Sequence, residues 1–582
     1  MKKFICNPLN LEYRYQLKKG TGYEAVFRET GDPTVILFKD KYYLFPSVSG
    51  GFWYSDDLYD WKFRETPELP LFDYAPDIHE IGGKMIFSSS NNSRPCSFYA
   101  SSDPVNEPFT VISSPFPFWD PAIFKDDDGR IYFYWGCSNT DPIWGIEIDP
   151  ATMMPISEKL ALMAENEAEH GWERRWENQR VEKPQHDPEE ELPWVYGMKP
   201  HIEGAFMNKY NGKYYLQYSA PGTEYDIYSD GVYVSDKPLG PFEYQEHNPF
   251  SSKPGGFING AGHGSTFKDK FDNWWHIATM VISKNEMFER RIGLFPCDFN
   301  DHGTMYCNQN FADHPFILPT EKRKDMDKIA PEMMLLSYKS QTEASSYQEG
   351  YEPEKAADEQ IRTWWAAETT GQNEWIKMDL NEIHDVQAIQ LNFADHKIPM
   401  PEGWEKDATD ITTMEKRKIL VQPQRTNYLL EGSENGSDWF TLKEQNDPTV
   451  DFPHDFISFE NPISIRYIKV SRIQLPFNAV PAVSAIRIFG NGTGPAPSQV
   501  TGINVKRTDE RMNILLKWQP VPEADGYNIR YGLEKDKLYS SWQIFEKPEL
   551  DLSLINKSPG YYISIDSFNK NGVTPGEVFY VE

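Results

Sequence analysis

Apolar and polar positions repeat one sentence along the first half of the chain. It reads GDPTVILFKDKYYLF over residues 31–45, APDIHEIGGKMIFSS over 75–89, WDPAIFKDDDGRIYFYWG over 119–136, IEGAFMNKYNGKYYLQYS over 202–219 and GHGSTFKDKFDNWWHIAT over 262–279. Each copy has a polar residue beside Pro or Gly, an apolar alternation, a tight turn and a second strand rich in Tyr, Phe, Ile or Trp. Alternation with a period of two on either side of a short turn predicts a β-hairpin. The leading polar residues, Asp32, Asp77, Asp120, Glu203 and His263, lie 45, 43, 83 and 60 positions apart. A propeller blade takes about 40–50 residues, so residues 1–325 read as a five-bladed β-propeller with insertions before the fourth and fifth blades. Equivalent positions of radially arranged blades converge on the central axis. The five leading side chains are therefore predicted to meet in one pocket.

A different pattern begins after the linker-like stretch TEKRKDMDKIAPE at 320–332. Short strands such as EWIKMDL, IQLNFA and IRYIKVSRI, with turn residues between them and no helical period, predict a β-sandwich over 335–492. The Gly/Pro/Ser stretch at 491–499 leads into ILLKWQP, GYNIRYG and YYISIDSFNKNG, which predict a second, smaller sandwich over 498–582. The fold class expected is all-β, a five-bladed propeller followed by two β-sandwich domains. The insertion near 155–200, containing EHGWERRWENQ, reads either as a solvated loop or as a rim loop near the pocket.

Composition narrows the partners. The 582 residues carry 58 Lys and Arg against 88 Asp and Glu, a formal charge of −30 that repels nucleic-acid phosphates and anionic lipid. Neutral polar partners fit better, and the 14% of aromatic residues supply flat faces for sugar rings. Five scattered cysteines without CxxC spacing indicate neither a disulfide framework nor a zinc site. No apolar run approaches the length of a membrane span, and the first residues are too polar for a signal-peptide core. As written, the chain reads as cytoplasmic, or as secreted or periplasmic if a leader has been removed.

The motifs, taken in order, resemble glycoside hydrolase family 43, five-bladed propellers that hydrolyse glycosidic bonds with inversion. GDPTVI with Asp32, WDPAIF with Asp120, IEGAF with Glu203 and GAGHGS with His263 are similar to that family's general base, pKa-modulating acid, general acid and channel histidine. ERRIGLFP at 289–296 is similar to its late strand from which an arginine approaches the sugar. Arg290 and Arg291 are adjacent in that strand and point to opposite faces, so only one can reach the pocket. Asp77 reads either as a pocket contact or as a turn former. Phe52, Trp53, Trp119 and Trp144 are candidates for a sugar platform as well as for packing, with Trp119 placed best, beside Asp120. The middle segment resembles a discoidin (factor 5/8 type C) domain, which implies glycan binding and a structural calcium near Asp358 and Thr363; one of Trp364 and Trp365 could stack on a glycan. The last segment resembles fibronectin type III, with Trp518, Tyr527 and Tyr562 in core positions.

Inverting hydrolysis needs one carboxylate to deprotonate water and one carboxylic acid to protonate the leaving oxygen, about 6.5–9.5 Å apart. Asp32 and Glu203 are 171 positions apart, a distance that only opposite sides of a propeller channel can close. Asp120 would place negative charge near Glu203 and help it keep its proton. The resemblance implies an α-L-arabinofuranosidase acting on plant-type polysaccharide or oligosaccharide, with β-xylosidase and galactofuranosidase as neighbouring activities. The chemistry requires no cofactor; a structural calcium could sit in the discoidin-like domain or in the propeller channel. Two rivals stay open, a non-catalytic carbohydrate-binding propeller and a retaining enzyme with carboxyls about 5–5.5 Å apart.

Overall fold

A computed structural model describes residues 2–20, 22–70, 74–90, 95–175, 199–371, 373–410, 415–447 and 449–582. Five four-stranded antiparallel sheets span 34–65, 77–113, 122–163, 203–244 and 259–307. Each begins with the hairpin read from the sequence; in blade 1, Thr34–Phe38 pairs with Lys41–Phe45. The innermost strands touch in cyclic order, blade 1 to 2 to 3 to 4 to 5 and back to 1. Thr34 Oγ1 donates to Pro76 O at 2.9 Å, Ile123 N to Asp77 Oδ2 at 2.6 Å, Gly204 N to Asp120 Oδ2 at 3.2 Å, and Asn208 Nδ2 to Thr266 O at 2.9 Å. Val35 N donates to Ser265 Oγ at 3.1 Å and closes the ring.

Period-two alternation explains what lies between the blades. Successive side chains of a strand face opposite sides of its sheet, so each blade feeds two cores. In blade 1, Tyr43, Phe45 and Phe52 pack with Phe87 and Phe109 toward blade 2, whereas Tyr42, Leu44 and Trp53 pack with Trp275 and Leu294 toward blade 5. Phe45 and Phe52 stack with centroids 4.5 Å apart. Full burial of such a side chain contributes roughly 1.5–3 kcal/mol. Phe52 and Trp53, at 0% and 2% exposure, are thus core residues and give no sugar platform.

Beyond the propeller, eight of the strands between Met334 and Asn491 form one sheet. Trp375–Phe393 and His454–Gln474 run through 19 and 21 residues of it, and its core gathers Trp365, Ile376, Leu430 and Ile488. Trp364 and Trp365 are both buried, at 5% and 0% exposure, because their indole N–H groups are used inside, on His396 Nδ1 and Ser346 O. Neither offers a face to a glycan. After residue 500 a three-stranded and a five-stranded sheet enclose Trp518, Tyr527, Ile529 and Tyr561. Here Tyr561 rather than Tyr562 points inward; Tyr562 lies outside against Tyr580.

The regions interlock, which their order along the chain does not suggest. Hairpin Tyr15–Gly20/Tyr23–Arg28, at the start of the chain, pairs with Lys416–Leu420 in one sheet. Arg28 makes two 2.9 Å bonds to Asp451, and Arg487 reaches Glu359 and the carbonyl of Asp313. The insertion after blade 3 is a bridge as far as residue 175: Trp172 is buried against blade 4, and Arg174 Nη2 donates to Asn513 Oδ1 at 2.8 Å. The rest of the insertion, 176–198, lies outside the described residues. No described helix is long and apolar enough to cross a membrane.

Candidate active site

Asp32 and Asp120 turn toward the propeller axis because each has left-handed backbone, φ 50° in both, immediately before a proline. Asp tolerates this region better than most residues. His263 shares it, with φ 43°. Its loop is anchored by Asp230, whose carboxylate accepts from the His263 and Gly264 N–H groups at 2.7 and 2.9 Å and contacts His276 Nε2 at 3.0 Å. Two glycines make room: a Cβ on Gly31 would lie 2.4 Å from Arg290 Nε, and one on Gly204 would lie 3.0 Å from the His263 ring.

These turns bring four of the five leading residues, Asp32, Asp120, Glu203 and His263, to one cavity, with Arg290 and Trp119 beside them. Asp32 Oδ1 accepts from Arg290 Nη1 at 2.7 Å and lies 3.2 Å from His263 Nδ1, while Oδ2 accepts from the Ser47 hydroxyl at 2.6 Å. Burial alone would raise the Asp32 pKa, but Arg290, His263 and Ser47 outweigh it and hold the carboxyl below 3.8. Asp120 is different. Burial, with Glu203 and Asp32 adding negative charge, pushes it up to about 7 against the pull of His263, which lies 3.8 Å from its Oδ2. For His263, burial opposes the protonated form, yet Asp32, Asp120 and Glu203 raise its pKa.

Glu203 is held by two donors, the Tyr228 hydroxyl on Oε1 at 2.5 Å and the Cys137 thiol on Oε2 at 3.2 Å. Ligand-type atoms of Asp120, Cys137 and Glu203 lie within 4.8 Å of one another. Around them opens a cavity of about 480 Å³ that also meets Trp119, Arg290, Tyr74, Phe288, Arg175, His201 and Glu224. A larger groove of about 930 Å³, lined by residues of 2–3, 269–271 and 317–325, shares none of these groups. The chemistry belongs to the smaller cavity, since paired acids of unlike environment face one space there.

Five further sequence candidates, Arg291, Asp77, Trp144, Asp358 and Thr363, lie elsewhere. Arg291 points away from the cavity, its Nε on His454 Nε2 at 2.8 Å and its Nη1 on the Arg28 carbonyl at 3.0 Å, so it clamps the propeller to the next region. Asp77 is 1% exposed and clasps blade 3 through the Ile123 N–H. Trp144 lies on an outer strand of blade 3 beneath Lys159, whose Nζ is 3.9 Å from the ring centre. Asp358 accepts from the Thr363 hydroxyl at 2.6 Å and the Gln360 N–H at 3.0 Å, while Glu359 turns to Arg487. One carboxyl already met by its own loop does not fit the six to eight oxygens calcium takes. In the channel, Asp32 already has a cationic partner in Arg290 at 2.7 Å.

Sequence reasoning missed Tyr228, Cys137, Tyr74, Arg175, Lys18, Glu415 and Arg417. Cys137 ends the motif YFYWGC two residues after a blade strand, and Arg175 lies in the insertion after blade 3. The others had no local signal.

Residues 26–305 match the family model described as Glycosyl hydrolases family 43. A beta-xylosidase of Xylanibacter ruminicola is 31% identical over 159 residues, 25% of this chain and 44% of that protein. An arabinoxylan arabinofuranohydrolase of Paenibacillus polymyxa is 30% identical over 184 residues, 29% of this chain and 24% of that one. The chain thus spans less than half the length of both relatives. A xylosidase/arabinosidase 43A of Humicola insolens is 26% identical over 264 residues, 37% of this chain and 78% of its own. Among solved structures, one described as a glycoside hydrolase covers 79% of this chain and 97% of its own at 18% identity and a TM-score of 0.45. Residues 26–305, the greater part of the propeller, thus match glycosyl hydrolases family 43.

Proposed function

We propose that the protein is an inverting glycoside hydrolase that removes terminal or side-chain sugars from plant-type oligosaccharide or polysaccharide, with Asp32 as general base and Glu203 as general acid. The observation that carries this reading is two carboxyls in unlike company over one cavity: Asp32 paired with Arg290 and His263, and Glu203 held by the Tyr228 hydroxyl and the Cys137 thiol. A base must be ionised to take a proton from water. An acid must carry one to the leaving oxygen. A carboxyl beside cations and a carboxyl beside neutral donors are suited to these two tasks.

In this mechanism water attacks the anomeric carbon from the Asp32 side while Glu203 protonates the departing glycosidic oxygen. Tyr228 and Cys137 fix the direction of the Glu203 carboxyl. Arg290 and His263 stabilise Asp32 until it accepts the proton, and Trp119 and Tyr74 supply flat surface to the sugar. The cavity of about 480 Å³ is modest, which favours a terminal unit over a long chain. Among sugars we favour the α-L-arabinofuranosyl unit, with the xylosyl unit next, in keeping with the names of the xylosidase and arabinofuranohydrolase relatives. We further read 335–492 as a discoidin-like and 498–582 as a fibronectin type III-like domain.

A panel of nitrophenyl α-L-arabinofuranoside, β-D-xyloside and galactofuranoside tests the sugar, and NMR of the first-formed anomer tests inversion. Hydrolysis that persists at the parental rate in both Asp32→Asn and Glu203→Gln would refute the assignment of base and acid. A first-formed anomer of retained configuration would make Asp32 a nucleophile instead.

A further inference from the structure

The propeller does not close its own pocket. Pairing of Lys416–Leu420 with Tyr15–Gly20 carries Glu415 and Arg417 into the cavity wall that also holds Asp32 and Trp119. Arg417 is 2% exposed. Its Nη1 lies 3.5 Å from Glu29 Oε2, its Nη2 donates to Glu415 Oε1 at 3.2 Å, and its guanidinium lies 5.1 Å from the centre of the Tyr74 ring. Glu29, fully buried, accepts on its other oxygen from Arg290 Nη2 at 2.9 Å, and Arg290 Nη1 donates to Asp32 at 2.7 Å. Charges therefore alternate without a break from Glu415 through Arg417, Glu29 and Arg290 to Asp32. Lys18 and Glu286, which also face Glu29, pair with each other at 2.9 Å. His263 and Asp120 face Asp32 from the other side.

Building on the assignment of Asp32 as the base, we propose that Arg417 is a positioning residue of the glycosidase site, a cation from outside the propeller that satisfies Glu29 and so leaves Arg290 to Asp32. A buried carboxylate keeps its charge only with a partner. Burial pushes Glu29 up, and Arg417 ahead of Arg290 opposes that rise. Arg290 has little freedom to compensate, since its Nε passes where a side chain on residue 31 would stand. Without Arg417, one guanidinium faces two buried carboxylates, and the loss of a positive charge raises the proton affinity of each.

The test is the pH dependence of kcat/KM in the full-length protein, with the best nitrophenyl glycoside of the panel. Hydrolysis by the parent that Asp32→Asn abolishes upholds the assignment of the base; a parent without hydrolysis overturns that assignment and this inference together. Given hydrolysis, Arg417→Met is expected to move the acid limb up by about 0.5–1 pH unit, a three- to tenfold change in apparent proton affinity, less than a directly paired arginine would cause. Arg417→Lys, which keeps the charge, is expected to recover most of that shift. The double variant Glu29→Gln/Arg417→Met removes one charge of each sign and is expected to return the limb to its parental position. An unmoved limb in Arg417→Met, or a double variant as displaced as the single one, would reduce Arg417 to a packing residue and overturn the proposal.

Discussion

Replacing Arg290 by Met keeps the aliphatic stem and removes the cation nearest Asp32, the proposed base. The size of the effect can be worked from a control inside the fold, because Asp77 heads the blade-2 hairpin as Asp32 heads that of blade 1. Both are buried, at 1% and 5% exposure. Asp77 has only backbone donors and burial pushes it up to about 7, whereas Asp32, with Arg290 at 2.7 Å, is held below 3.8. The environments thus push the two carboxyls in opposite directions. An arginine beside a carboxylate lowers its pKa by about 1–3 units, and His263 and Ser47 remain in the variant, so about 2 units are expected to leave with the guanidinium. The base works only when ionised, so raising its pKa removes activity from the acid side inward. Profiles of kcat/KM against pH report the free enzyme, and the acid limb of Arg290→Met should lie about 2 pH units above the parental one. A limb that stays in place while the plateau falls would mean that Arg290 serves the sugar alone and that Asp32 is set by other groups.

Glu203→Gln should lower kcat by about 10²–10⁴-fold for glycosides with poor leaving groups and far less for a dinitrophenyl glycoside, which needs no proton; equal losses on both would deny Glu203 the role of acid. Cys137 is the one cysteine facing the cavity, the other four being buried. A small methanethiosulfonate should therefore inactivate the parent, faster as pH rises because burial lifts this thiol well above 9, and should spare Cys137→Ser. Asp77 predicts a stability effect of unusual sign: its folded value of about 7 exceeds the ordinary 3.8, so it keeps a proton that the unfolded chain releases, and its contribution falls as pH rises between the two. Asp77→Asn keeps an acceptor for Ile123 and should gain on the parent by roughly 2–3 kcal/mol between about pH 5 and pH 8 in urea unfolding; a difference independent of pH would show that the carboxyl is not protonated in the fold.

What the sequence made legible was local. A hairpin repeats its alternation within fifteen residues, so all five inner hairpins and the polar residue leading each could be read, and ring closure is then a matter of geometry. The same repeat misled at Asp77. It carries the leading acid, but its blade uses that acid as an interblade clasp, because Ile123 offers an N–H at 2.6 Å. Alternation also foretold that only one of two adjacent arginines reaches the pocket, without telling which; that depended on Gly31, which opens a path for Arg290, and on His454, more than 160 positions away, which receives Arg291. Glu415 and Arg417 could not be found in this way. Their place is set by pairing between segments hundreds of residues apart, and a strand edge at 15–20 carries no mark of its partner at 416–420. The chain read as three consecutive bodies is in the fold a propeller whose pocket wall and buried charges are completed by residues from the sheets C-terminal to it. Cutting after residue 325 would leave Arg28 without Asp451 and Glu29 without Arg417. The catalytic unit therefore extends past the segment that carries the family's motifs.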